Sequence, residues 1–313
     1  MKTAVVFPGQ GAQSVGMLSD LAAANPAVSE YFARASAVLG YDLWQVVSAG
    51  PEDKLNDTAV TQPAMLVAGY ACYASLKAQL PEWQPNYFAG HSLGEYTALV
   101  AAEALSLEQA VALVAKRGSL MQQAVAPGAG AMAAVLGLTD EQVEQACLSA
   151  AQGAIVSAVN YNSPGQVVIA GEAAAVERAM AHATELGAKR VVPLAVSVPS
   201  HCALMKPAAD ELAKAIADAD WQMPRIPVLH NVNTQASTSI VDLQAALVAQ
   251  LYQPVQWVKT IEYLAADGVT QLVECGPGKV LAGLNRRIDK NMAVASIYDS
   301  ATLANTVNAI KDN

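Results

Sequence analysis

The chain has 313 residues, 53% of them hydrophobic and 14% charged, with a formal net charge of −9. This balance describes one large domain, or a large one with a smaller insert, built round a substantial core; it excludes a disordered chain and the basic face of a nucleic-acid binder. No run approaches the ~20 apolar residues of a membrane span, MKTAVVFPGQ is too short for a signal peptide, and neither the scattered Cys72, Cys147, Cys202 and Cys275 nor the four histidines show disulfide or zinc spacing, so a reduced, cytoplasmic protein without a metal is expected.

TAVVF (3–7) reads as a short buried strand, followed by the turn PGQGAQS. MLVAGYACYASLKAQL (65–80) reads as a helix, with Pro63 near its first turn. NYFAG (86–90) is the next strand, and LGEYTALVAAEAL (93–105) follows at once as a helix. Ser106 and Gln109 form a capping box that opens a helix running to about Val125. The texture then changes. AMAAVLGL (131–138) is strand-like, and TDEQVEQACLSAA (139–151) is a helix with a second capping box at Thr139 and Gln142. AIVSAVN and QVVIAG are strands joined around Asn162, Pro164 and Gly165; AAAVERAMAHATELG is a helix and RVVPLAVS (190–197) a strand. This β-α-β-β-α-β order is the ferredoxin-like split pattern. It predicts a small subdomain over 128–197, inserted into a large domain of 1–127 and 198–313. Beyond it, the strands IPVLHNVN, TQLVECGPG and MAVASIYD alternate with helices in DLQAALVAQL, around WVKTIEYLAADG, and after each of the last two strands. Such alternation predicts a parallel sheet covered on both faces.

GHSLG (90–94) matches G-x-S-x-G, with a strand before it and a helix after it. In that setting Ser92 is held on a tight turn above the sheet edge, where free N–H groups at a helix start favour developing negative charge. The Leu93 N–H is a natural oxyanion donor, and the loop PGQGAQ, with Gln10 between two glycines, is the best source of a second. The plainer alternative is an ordinary strand-to-helix turn. A nucleophilic serine needs a base. His91 is adjacent to Ser92 and is expected to point away from the elbow; His182 lies on a helix surface; His230 lies in an apolar strand as a satisfied core residue. His201, in VPSHCALM just after the insert returns, is the favoured base. No carboxylate stands out as a third member, and a backbone carbonyl can orient the imidazole instead.

In LEQAVALVAKRGSLMQQAV, Arg117 has Leu113, Val114, Leu120 and Met121 one helical turn away on either side. It therefore sits on the buried stripe, where a guanidinium needs a partner. A structural ion pair and a substrate carboxylate both remain open. FPGQGAQS has Ser14 where a dinucleotide fingerprint needs its third glycine, and ECGPGKVL lacks Walker spacing, so nucleotide chemistry is discounted.

FPGQGAQ, GHSLGEY, AKRGSLMQ, NYNSPGQVVIAG, VPSHCALM, PVLHNVN, QLYQPVQW and ECGPGKVLAGL occur in this order. Together they resemble the malonyl-CoA:acyl carrier protein transacylase family, which includes the acyltransferase domains of polyketide synthases, and the likeness covers essentially the whole chain. The resemblance implies an α/β-hydrolase-like parallel-sheet domain carrying a ferredoxin-like (βαββαβ) subdomain. It implies Ser92 as acyl-accepting nucleophile, His201 as base, Arg117 as partner of the malonyl carboxylate, and Gln10 with Leu93 as oxyanion hole. By the same likeness the main-chain carbonyl of Gln250 holds His201, Asn160 and Asn162 lie close to the pocket, and Met121 and Ser200 belong to the substrate site. In modular polyketide synthases a serine before the base resembles selectors for larger malonyl units; in stand-alone bacterial relatives it goes with malonyl.

The implied substrates are malonyl-CoA and phosphopantetheinylated acyl carrier protein, with no cofactor, no nucleic acid, no membrane and a monomeric chain. An acidic carrier meeting an acidic enzyme requires a local basic patch, for which Lys189 with Arg190, and Arg286 with Arg287, are the candidates. The rival readings are a serine hydrolase or thioesterase acting on acyl thioesters, and a non-catalytic carrier-docking subunit.

Overall fold

In the computed structural model, which describes residues 1–196 and 198–312, the chain opens on β1 (Lys2–Phe7), buried from Thr3 onward. Side chains alternate between the faces of a strand. Val5 and Phe7 enter the core on one face, Ala4 and Val6 that on the other. The unbroken apolar run is what a strand covered on both faces requires. Helices α1 (Ser19–Ala24), α2 (Pro26–Leu39), α3 (Leu43–Ala49), α4 (Glu52–Leu55) and α5 (Thr58–Gln79) precede β2 (Tyr87–Gly90), and α6 (Gly94–Ala101) and α7 (Leu107–Gln123) follow it. Next come β3 (Gly130–Leu136), α8 (Asp140–Ala151), β4 (Val156–Ser163), β5 (Gln166–Glu172), α9 (Ala173–Glu185) and β6 (Arg190–Pro193). The chain then runs through α10 (Lys206–Asp218), β7 (Val228–Leu229), α11 (Ile240–Gln250), α12 (Trp257–Ala266), β8 (Val269–Cys275), α13 (Val280–Ile288), β9 (Ala293–Ile297) and α14 (Ser300–Lys311).

Five strands form a parallel sheet in the order β7-β2-β1-β8-β9. Phe7 pairs with Gly90 and Ala89 with Leu229, so the loops holding Gln10, Ser92 and Asn231 leave the same carboxyl edge. That edge is where open α/β sheets place their sites. The second sheet is antiparallel, in the ferredoxin-like order β4-β5-β3-β6. Val135, Ile169 and Val176 pack on its helix-covered face. Met132, Val168 and Ala170 on the opposite face pack with Cys202, the neighbour of His201. Asn160 bridges to Val255, tying the edge strand β4 to the large sheet's side of the molecule. The fold is α/β: a hydrolase-like parallel sheet carrying a ferredoxin-like subdomain.

Several local expectations change. The helix expected from Met65 starts at Thr58, because Asp57 caps it by accepting the Ala59 N–H, and Pro63 lies inside it. A proline there removes one donor, and the flanking ladder absorbs the loss. The box at Ser106 is half formed. Its hydroxyl oxygen accepts the Gln109 N–H, but the Gln109 side chain takes the Ser106 hydroxyl proton instead of the backbone N–H. Thr139 and Gln142 make the complete box. Of the expected strand RVVPLAVS, β6 takes Arg190–Pro193, the Leu194 N–H still donates to the Met132 carbonyl, and Ser197 lies outside the described residues; IPVLHNVN supplies just two strand residues, Val228 and Leu229. Helices α1 to α4 and α10 had no counterpart in the sequence pattern.

Candidate active site

The elbow depends on glycines. A Cβ on Gly90 would overlap the main chain of Gly94, and a Cβ on Gly94 would overlap the Phe7 carbonyl. A Cβ on Gly9 would meet the His91 carbonyl oxygen at 2.5 Å. Without side chains the β1 loop, the turn and the first turn of α6 can stack in direct contact. Ser92 sits at φ 51°, the strained conformation of a nucleophile elbow. Its N–H donates to Asn231 Oδ1 at 2.7 Å, and Asn231 Nδ2 donates back to the Gly90 carbonyl at 2.6 Å. The Asn231 side chain thus splints the turn from both sides.

His201, also at positive φ (64°), is buried. Its Nδ1 lies 2.6 Å from the Gln250 main-chain oxygen and its Nε2 2.8 Å from Ser92 Oγ. A carbonyl can only accept, so Nδ1 carries the proton and Nε2 offers its lone pair to the serine hydroxyl. Burial, and then the Arg117 charge, push His201 down to about 3, against the opposing pull of the Gln250 carbonyl. The imidazole is therefore neutral and basic at Nε2.

Gly118 brings Arg117 into place. A Cβ there would meet the Thr58 carbonyl oxygen at 2.6 Å, so α7 can lie against the start of α5 only with glycine at this position. Arg117, 1% exposed, donates from Nη1 to Gln62 Oε1 at 2.8 Å and from Nη2 to Gln250 Oε1 at 2.9 Å. A second Nη2 contact reaches Ser92 Oγ only at 3.4 Å, and among the described residues Nε makes no hydrogen bond. Among the described residues no carboxylate forms an ion pair with it. A buried cation held by two neutral amides and, 5.5 Å away, the face of the Tyr96 ring, beside a nucleophile, leaves room for an anion to arrive.

Ser92, Leu93, Gln10, Arg117, Met121, Ser200, His201 and Asn160 line one cavity of about 120 Å³. That is room for a short acyl group. Among the described residues, neither the Leu93 nor the Gln10 N–H donates to a protein acceptor. Asn160 Oδ1 is buried and unpartnered, and Met121 Sδ accepts the Gln62 amide at 3.5 Å. Asn162 Oδ1 lies 2.7 Å from His91 Nε2. His91 is among the residues lining the cavity, and its ring reaches the insert through Asn162 and lies 5.6 Å from the Trp257 ring. His230 is buried and held by Glu95 and Ser237, and His182 is partly exposed beside Glu185. Among the described residues no three His, Cys, Asp or Glu side chains converge as a metal site would need, and no helix is long and apolar enough to cross a membrane.

Three side chains bonded to site residues carry no clear mark in the sequence: Gln62 on Arg117, Asn231 on Ser92 and Glu95 on Gln250. Glu95 could have been found by the reasoning that placed Arg117, since Ala98 and Leu99, one turn on, are both apolar. Gln62 meets Arg117 between α5 and α7 and Asn231 reaches Ser92 across the sheet edge, and nothing local to either signals it.

A profile of the acyl transferase domain matches residues 4–306. The malonyl CoA-acyl carrier protein transacylase of Haemophilus influenzae is 55% identical over 301 residues, 96% of each chain. A crystal structure of an acyl carrier protein S-malonyltransferase from Vibrio cholerae superposes with a TM-score of 0.95 at 55% identity, over 98% of this chain and 100% of that one. A malonyl-transacylase in complex with a type II PKS acyl-carrier protein superposes with a TM-score of 0.97 at 51% identity, over 99% of this chain and 100% of that one. Since the matched span runs through both sheets and every residue lining the cavity, the likeness is one of the whole chain, which belongs to the acyl transferase domain family.

Proposed function

We propose that this acyltransferase moves a malonyl group from malonyl-CoA to the phosphopantetheine thiol of acyl carrier protein, through a malonyl ester of Ser92. The observation that carries the reading is Arg117: a buried guanidinium with no carboxylate partner among the described residues and one N–H 3.4 Å from the nucleophile. An acyl group on Ser92 with a free distal carboxylate meets the loosely engaged Nη2–H of this guanidinium. A neutral acyl group leaves that cation uncompensated. The names carried by the close relatives support the same substrate pair.

The steps follow from the geometry. Ser92 gives its proton to His201 Nε2 as Oγ attacks the thioester carbonyl. The oxyanion takes the Leu93 and Gln10 N–H groups. The C–S bond breaks, and His201 returns the proton to the CoA thiolate. In the second half the carrier thiol gives its proton to His201 and attacks the ester. The C–O bond breaks, and the proton goes back to Ser92 Oγ.

Two basic pairs are proposed to receive the carrier. Gln166, Leu136 and Arg190 stand opposite one another across three strands. Arg287, from α13, donates to Gln166 Oε1 at 2.9 Å. Arg190 and Arg287 are thus linked through Leu136 and Gln166, each beside its basic neighbour in the chain, Lys189 or Arg286, and this is the edge proposed to meet the carrier, in the cytoplasm where carrier-dependent synthesis would run.

The test is the intact mass of the protein after brief exposure to malonyl-CoA, and again after adding holo acyl carrier protein. A malonyl adduct absent in Ser92→Ala, persistent in water and moved to the carrier is the expected result. An adduct that decays in water without a carrier would make the protein a hydrolase, and no adduct would leave only a docking subunit.

A further inference from the structure

Glu95 lies three residues past the nucleophile, on the first turn of α6, fully buried, and the acyl transfer drawn above does not use it. Its Oε2 accepts the Asn231 N–H at 3.0 Å and Gln250 Nε2 at 2.9 Å, and its Oε1 lies 2.7 Å from His230 Nδ1. The His230 ring is held at its other end by Ser237 Oγ at 2.6 Å. A buried carboxylate with every oxygen engaged is a fixed point.

We propose that Glu95 is a positioning residue of the site: it fixes the side-chain amide of Gln250, and through that amide aims Arg117 at the distal carboxylate of the acyl group. The inference rests on the malonyl-transfer reading and deepens it. Gln250 Nε2 has two protons. One goes to the Ser92 main-chain oxygen at 2.9 Å and the other to Glu95 Oε2. Both neighbours are acceptors, so the amide can sit only one way round, and its Oε1 must face Arg117 Nη2 at 2.9 Å. The result is a series of cation, amide and anion with the amide dipole aligned along it, an arrangement in which each hydrogen bond strengthens the next. Gln250 also stands between Arg117 and the Glu95 carboxylate, so the guanidinium stays available to substrate. Base and selector part company at this residue. His201 is held by the Gln250 main chain, Arg117 by its side chain. Loss of the Glu95 anchor therefore disturbs diacid selection more than proton transfer.

Position and charge can be separated. Glu95→Asp keeps the charge and withdraws the anchor by one methylene. Glu95→Gln removes the charge and keeps the anchor. In the second variant the new amide oxygen accepts from Asn231 and Gln250, while its NH2 donates to His230 Nδ1 in the other imidazole tautomer, with His230 Nε2–H turned to Ser237. The readout is the ratio of malonyl to acetyl in single-turnover acylation of Ser92, followed by intact mass in the full chain, with thermal unfolding as the check on folding. Positioning predicts that Glu95→Asp lowers the ratio about tenfold, the scale of one hydrogen bond to a charged group, and that Glu95→Gln stays within about threefold of the parent. A ratio unchanged in Glu95→Asp, or lowered as far or further in Glu95→Gln, overturns it. If Glu95→Asp does not fold, Gln250→Leu, which keeps the main-chain carbonyl for His201, is expected to show the same fall; an unchanged ratio there also overturns it. Failure of the underlying reading looks different: the parent protein itself would form no malonyl-Ser92 or show no preference for malonyl.

Discussion

Arg117 and His201 share one cavity, and the charge of the first adds to burial in setting the state of the second. Burial first, and the guanidinium charge second, hold His201 down to about 3. A lowered pKa means the base stays unprotonated until the pH falls close to that value, so acylation by a neutral acyl group should show no acid limb from His201 across pH 5–8. Arg117→Ala removes part of that depression. The acid limb of residual acetyl transfer should move to higher pH, measured as single-turnover acetylation of Ser92 from pH 4 to 8; a limb that stays put would mean burial alone sets the base. The same substitution should cost malonyl transfer about 2–5 kcal/mol, and acetyl transfer far less, as expected when a charged hydrogen-bonded contact is lost. Equal losses with the two acyl groups would remove Arg117 from the selector role. The sequence was informative at this scale where chemistry is local. Ser92 announces itself by its glycines and Arg117 by its apolar neighbours. Gln62 and Glu95 were missed because their partners lie 55 and 155 residues away in the chain, at Arg117 and Gln250.

Among the elements, the strand-turn-helix of β2 and α6 could be read from the sequence because an apolar run ends abruptly in GHSLG, and glycines at those places have a steric cause. Gly90→Ala should destabilise the fold by about 3 kcal/mol or more, since the added methyl meets main chain that cannot move aside. Gly283, inside α13, has nothing within 4 Å of an added methyl. Gly283→Ala should be neutral or stabilise by up to about 1 kcal/mol. Urea midpoints of the two variants check the contrast, and similar values for both would discount close packing at the elbow. Other boundaries were illegible for physical reasons. Asp57 starts α5 well before the hydrophobic run begins, and Pro63 reads as a start signal although the helix tolerates it. Strand β7 is two residues long because the chain at His230 turns inward to meet Glu95 instead of continuing the ladder.

For the whole molecule, the insert could be read because its strands and helices follow one another with short turns, but its purpose could not. The contacts that join it to the large domain, Asn162 with His91, Asn160 with Val255 and Gln166 with Arg287, are side-chain and bridge contacts between distant segments. They seat one wall of the cavity and draw the two basic pairs along one edge of a chain whose net charge is −9. A local cationic edge on an acidic protein acts mainly on encounter with an acidic partner and is screened by salt. The double variant Lys189→Glu with Arg190→Glu should therefore raise the KM for acyl carrier protein about tenfold at low ionic strength, leave formation of malonyl-Ser92 from malonyl-pantetheine unchanged, and flatten the salt dependence of the second half-reaction. Malonyl-pantetheine carries no phosphate, so it reports on the cavity without the edge. A KM for the carrier that does not move, with the parent protein's salt dependence intact, would place the docking surface elsewhere on the molecule.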